Sequence, residues 1–132
     1  MINYTNILNL SGLRKGASND QIVLTQNQID FQFPVNYISL LQFSNGFLLS
    51  NGLNIYSAED IIERNTTYEV HEYCPEHFLI GDDSGGIGFL LSRDKNDSKI
   101  YRSGLGDLYP PEFRVVSSDI QAWIDSEFLA DL

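Results

Sequence analysis

Phe78-Leu79-Ile80-Gly81-Asp82-Asp83-Ser84-Gly85-Gly86-Ile87-Gly88-Phe89 is the stretch whose reading decides the fold. Two short apolar runs flank a polar, glycine-bearing turn, which is the pattern of two strands joined tightly enough that they must run antiparallel. Further apolar runs at 99–102 and 113–116 follow, and the polar run Asp94-Lys95-Asn96-Asp97 between strands again favours a hairpin. The second half of the chain is therefore expected to hold four strands, at 78–81, 87–91, 99–102 and 113–116, in an antiparallel sheet.

Working outward, helical spacing dominates the residues before this sheet. Ser18, Asn19 and Asp20 are candidate caps for a helix carrying Ile22, Gln26 and Ile29 on one face, which stops by Pro34. Pro34 suits the first position of a second such helix, with Tyr37, Leu40, Leu41 and Ser44 at helical spacing, and Asn45-Gly46 ends it. Residues 47–56 read as a short hairpin, or a loop and one strand, around Asn51-Gly52. Ser57 is a cap for a helix near 59–65, with Glu59 and Asp60 favourable in its first turn. Tyr4, Ile7 and Leu8 suggest a short opening helix. At the other end, Ser118 and Gln121 suggest a capping box for a closing helix with Ile120, Trp123, Ile124 and Phe128 on its apolar face, Trp123 against the sheet. Together these predict an α+β fold, an antiparallel sheet of short strands with helices packed against it, in a single domain over 1–132.

Composition narrows the function. Apolar residues make up 42% of the 132, with eight Phe, seven Tyr and one Trp, enough to close one core. Eighteen acidic residues against eight basic ones give a net charge of −10, a field that repels phosphate backbones, so direct nucleic-acid binding is not expected. The same field speeds encounter with a basic partner. A lone cysteine, Cys74, permits no intramolecular disulfide. The first residues lack the basic start and apolar centre of a secretory signal, and no run approaches the length that spans a bilayer, so the expectation is a cytoplasmic protein without membrane contact.

The order of these motifs resembles the SUKH superfamily. Phe33-Pro34-Val35-Asn36-Tyr37, ahead of a helix closing in Asn45-Gly46, is similar to that family's Leu-Pro, Tyr-containing helix and Asn-Gly signature. Ile55 and the helix near 59–65 fit its next strand and helix, and residues 78–89 its apolar strand, Gly-Asp turn, Gly-rich stretch and second strand. The helix of Trp123 and Phe128 matches its aromatic closing helix. The likeness covers roughly 22–128, with Phe33 where Leu is commoner and Gln26 where Glu often stands. The resemblance implies a protein that binds other proteins: bacterial relatives are typically encoded beside a secreted or contact-delivered toxin, often a nuclease or deaminase, and block it directly, while fungal relatives regulate cell-wall synthesis. It also implies that no cofactor is needed.

Catalytic and metal readings find little support in the residues. His71, Cys74 and His77 have a ligand-like spacing with Glu69, Glu72 and Glu76 nearby, but no second Cys or His pair closes a tetrahedral set, and a loop leading into a strand is the plainer reading. Asp82 and Asp83 beside Ser84-Gly85-Gly86 read as a polar hairpin turn before they read as a catalytic pair. Residues 94–105 lack the Gly and Glu of a calcium loop. No nucleophile turn, phosphate loop or dinucleotide fingerprint is present. The expectation is a binder, not an enzyme, with no metal. Its candidate contact residues are Glu59, Asp60, Glu63, Glu69, Glu72, Glu76, Asp82 and Asp83, with Tyr73 and Tyr109 as aromatic contacts. The expected partner is a basic toxin domain, or an endogenous enzyme if the chain is a regulatory or scaffold module; monomer and weak dimer both remain open.

Overall fold

The computed structural model describes residues 2–128; residue 1 and residues 129–132 of the expected 1–132 domain lie outside the described residues. A 3-10 turn at Thr5–Ile7 leads to α1 (Asn19–Ile29) and α2 (Val35–Phe43), then a hairpin of β1 (Phe47–Leu48) and β2 (Asn54–Ile55). Next come α3 (Asp60–Thr67), α4 (Val70–Tyr73), β3 (His77–Asp82), β4 (Ile87–Ser92), β5 (Ile100–Gly104), a 3-10 turn at Pro110–Glu112, β6 (Arg114–Ser117) and α5 (Ile120–Asp125). The six strands form one antiparallel meander in chain order. The α+β architecture is as expected: the four strands read from residue 78 onward correspond to β3–β6, and of the two readings left open for 47–56 the short hairpin is the one that forms, as β1 and β2.

β3 and β4 form the spine, since all but the end residues His77, Asp82 and Ile87 are buried. Directly opposed residues share a face. Phe78, Leu91 and Ile100 are opposed in turn across β3, β4 and β5. On that face Phe78 meets Phe31, Phe33 and Tyr37, with ring centroids 5.0, 5.4 and 5.6 Å away. Further along β4, the Phe89 ring packs 5.3 Å from Trp123 of α5. The helices thus cover the sheet through aromatic contacts, and Trp123 sits on the sheet as anticipated.

Local signals decided several ends differently. Ser18 caps α1 with a complete capping box, its hydroxyl accepting from Gln21 N–H and the Gln21 side chain accepting from Ser18 N–H. Gln26 turns back to accept from Phe33 N–H at 2.7 Å, holding the link to α2. The box expected at Ser118 and Gln121 does not form. Asp119 caps α5 one residue later, accepting from Ala122 N–H at 2.7 Å, and the Gln121 amide is drawn away to Asn3 backbone groups. The opening helix shrinks to the 3-10 turn, with Ile7 buried and Leu8 exposed. The loop expected at 69–76 contains the single helical turn α4, which stops ahead of Pro75.

Two junctions fix the helices to the sheet. Gly46 has φ +73°, and a Cβ there would lie 2.6 Å from Ser57 N; the neighbouring Asn45 side chain accepts from Ala58 N–H at 2.8 Å. This pins the β1–β2 hairpin to the start of α3. β2 pairs with β3 only at Asn54 and Ile55, with one further bond from Tyr56 N–H to Ile80 O. Beyond it, the Asn65 carboxamide of α3 takes the place of a strand: it accepts from Leu79 N–H and donates to Leu79 O, both at 2.8 Å, and donates to Ile61 O at 2.8 Å. Replacing Asn65 by Ala strands the Leu79 backbone groups away from water and is expected to cost about 2–3 kcal/mol. Urea unfolding measures this, and a loss under about 0.5 kcal/mol would show that water substitutes for the side chain.

Candidate partner-binding surface

Hydrogen bonds across the turns sort the candidate residues into two ends of the sheet. At one end Arg93 N–H bonds Glu76 O at 2.8 Å, joining the start of β3 to the end of β4; at the other, Leu105 N–H bonds Gly86 O at 2.8 Å. Glu69, Glu72, Tyr73 and Glu76 lie on α4 and its flanks, at the first end. Asp82, Asp83 and Tyr109 lie at the second, around the β3–β4 turn and the β5–β6 connection. Glu59, Asp60 and Glu63 lie at the start of α3. The fold therefore brings the ten residues to more than one place.

Their carboxylates also differ in what they already do. Asp82 accepts from the Tyr56 hydroxyl at 2.6 Å and from Ser84 N–H at 3.0 Å, while Asp83 accepts from the N–H groups of Gly85 and Ile87. Both build the hairpin turn, in which Gly86 takes φ +102°. Glu59 accepts from the side chains of Gln21 and Asn45, tying α1 and the hairpin to α3. Glu63 holds the Arg64 guanidinium, a hydrogen bond that keeps its carboxyl below the ordinary range. Asp60, Glu69, Glu72 and Glu76 are exposed and make no side-chain hydrogen bond or ion pair with the described residues.

Glu69 and Glu72 border a cleft that sequence reading did not find. The end of α1, α3, α4 and Arg93 enclose about 440 Å³, with Ile29, Ile62 and Val70 among its apolar lining and Asp30, Glu69 and Glu72 among its acids. Asp30 and Glu69 both take left-handed backbone, φ 54°, as the chain turns out of α1 and into α4. The Arg93 guanidinium lies 5.0 Å from the Phe31 ring centroid. Its burial weakens its hold on the proton, an effect that Asp30 and Glu76 oppose. Asp30 and Arg93 carried no motif, and only packing places them beside α4.

The residues with ligand-like spacing are separated by their surroundings. His71 is exposed on α4, Cys74 is fully buried, and the His77 ring sits edge-on to Tyr101 and Phe113, with centroids 5.4 and 5.0 Å away. Among the described residues no three His, Cys, Asp or Glu side chains converge as a metal site, and no helix is long and apolar enough to cross a membrane. Burial pushes the Cys74 thiol up to about 11.

A family model described as SMI1 / KNR4 family (SUKH-1) matches residues 16–126, most of the chain. Members of that family are in general non-catalytic modules with immunity or regulatory roles. No curated protein matches the chain.

Two outcomes follow for the buried groups. Cys74 is expected to resist a thiol reagent in the native protein at mildly alkaline pH and to react fully once unfolded; fast native labelling would contradict its burial. His77 has its pKa lowered by desolvation, with Asp97 and Glu76 acting in the opposite sense. The unfolded chain then binds the proton more readily, so His77's contribution to stability is complete above about 6.5 and is lost as pH falls through that value toward the lower folded pKa. Denaturant curves across this range are expected to flatten in His77→Gln, above the carboxylate region; an unchanged slope would assign the effect elsewhere.

Proposed function

We propose that this chain, which belongs to the SMI1 / KNR4 family (SUKH-1), is an immunity protein that binds a cognate bacterial toxin domain and neutralises it by direct contact, without catalysis or a cofactor. The observation that carries this reading is the set of exposed carboxylates, at Asp60, Glu69, Glu72 and Glu76, that make no side-chain hydrogen bond or ion pair with the described residues, on a domain with net charge −10. A carboxylate already committed to a turn, such as that of Asp83, has little left to offer a partner. One in water offers its full charge, and opposite charge on a nuclease or another nucleic-acid-modifying toxin steers encounter and fixes orientation. Neutralisation follows when the bound module covers the toxin's active site. The place of action is the cytoplasm of the producing cell.

Co-expression with toxin domains encoded next to this gene is expected to restore growth and yield a complex. Changing Asp60 to Asn and Glu69, Glu72 and Glu76 to Gln is expected to slow association by about tenfold or more at low salt, with a smaller effect at high salt. Protection by none of these toxins, together with a stable complex with an endogenous enzyme, would replace this reading with a regulatory one.

A further inference from the structure

Beside the cleft, α1 exposes a large apolar side chain, Leu24. Gln21 donates to Glu59 at 2.7 Å and the Thr25 hydroxyl donates to Ala58 O at 3.0 Å, so that face of α1 is held against the start of α3. The edge beside that face, Gln21, Leu24 and Gln28, follows helical spacing and is exposed. Within it Leu24 is 60% exposed. Leu24 and Gln28 are neighbours one turn apart, and Gln28 lines the cleft, so this edge leads from Leu24 into the cleft that Glu69 and Glu72 border.

We propose that the Leu24–Gln28 edge of α1 and the adjoining cleft form the docking site for an amphipathic, basic helix of the partner protein. Charge complementarity selects that occupant. Asp30, Glu69 and Glu72 outweigh Arg93, the lining's Lys or Arg, and a partner Lys or Arg can lay its aliphatic stem on Ile29 and Ile62 while its head reaches the acidic rim. Leu24 supplies the apolar contact that a helix needs alongside its charges. Other surfaces fit less well. Val35 is 80% exposed, but one groove beside it is lined by Arg93 and Lys95 with Asp94, and in the other the acids Asp94, Asp97 and Asp119 already accept from Asn96 N–H, the Tyr101 hydroxyl and Ala122 N–H. The depression at Tyr109 is lined mainly by polar and glycine residues. The proposal rests on the reading above that the protein acts by binding another protein.

The test is a titration of ¹⁵N-labelled protein at low salt with a synthetic helical peptide bearing Leu on one face and Arg beside it, and with a control in which every Arg is Glu. Amide shifts at Leu24, Gln28, Thr66, Glu69 and Glu72 are expected with the basic peptide and none with the control. Combining Leu24→Gln, Glu69→Gln and Glu72→Gln, all at exposed positions, should weaken binding at least tenfold with the rest of the spectrum unchanged. Shifts confined to 82–86 or 107–112, equal binding of both peptides, or no binding would overturn the proposal. The same variant tested against a neutralised toxin separates the two readings: undiminished protection removes the docking site and leaves the immunity function. If no toxin is neutralised, that function falls and the peptide titration still decides the site.

Discussion

The Leu79 N–H and C=O groups lie in the fully buried part of the sheet, and β2 is too short to reach them. Buried backbone groups demand partners, and here one carboxamide, Asn65, satisfies both. This constraint carries more than local stability. It ties α3 to β3 one turn ahead of the point where the chain turns through Glu69 into α4, the element that carries Glu72.

A sheet whose central strands are buried on both faces must be covered on both, and a chain of this length does so with short elements and aromatic bulk. Phe31 and Phe33, in the link between α1 and α2, meet Phe78, while Phe113 and Tyr101 flank His77. Large rings bury much area per residue, which lets linkers perform packing that longer helices would otherwise provide. Apolar residues left outside this arrangement, such as Leu24 on α1, are the exception that the covering of the sheet does not account for.

Charge is divided by role in the same way. Asp82, Asp83 and Glu59 are acidic because turns and junctions need acceptors for N–H groups, whereas the side chains of Asp60 and Glu72 make no hydrogen bond with the described residues. Net charge cannot separate these two kinds of carboxylate. The separation depends on which donors end within hydrogen-bond reach, as Tyr56 does for Asp82 across strands far apart in the chain.

By itself, the sequence determined the features that local chemistry controls. These were the α+β class, the antiparallel spine at 78–91, the ends set by Pro34 and Gly46, the placing of Trp123 on the sheet, and the family likeness carried by those same motifs. Each rests on a periodicity or a backbone preference that neighbouring residues express without help. Tertiary structure alone decided the rest. It moved the α5 cap from Ser118 to Asp119 by giving Gln121 a partner at Asn3, and it decided for the hairpin over the loop and single strand at 47–56. It also turned Asn65 into a substitute strand and joined Asp30 and Arg93 to α4 in one cleft. In each of these cases the deciding contact links residues distant in the chain, so no local pattern could encode it.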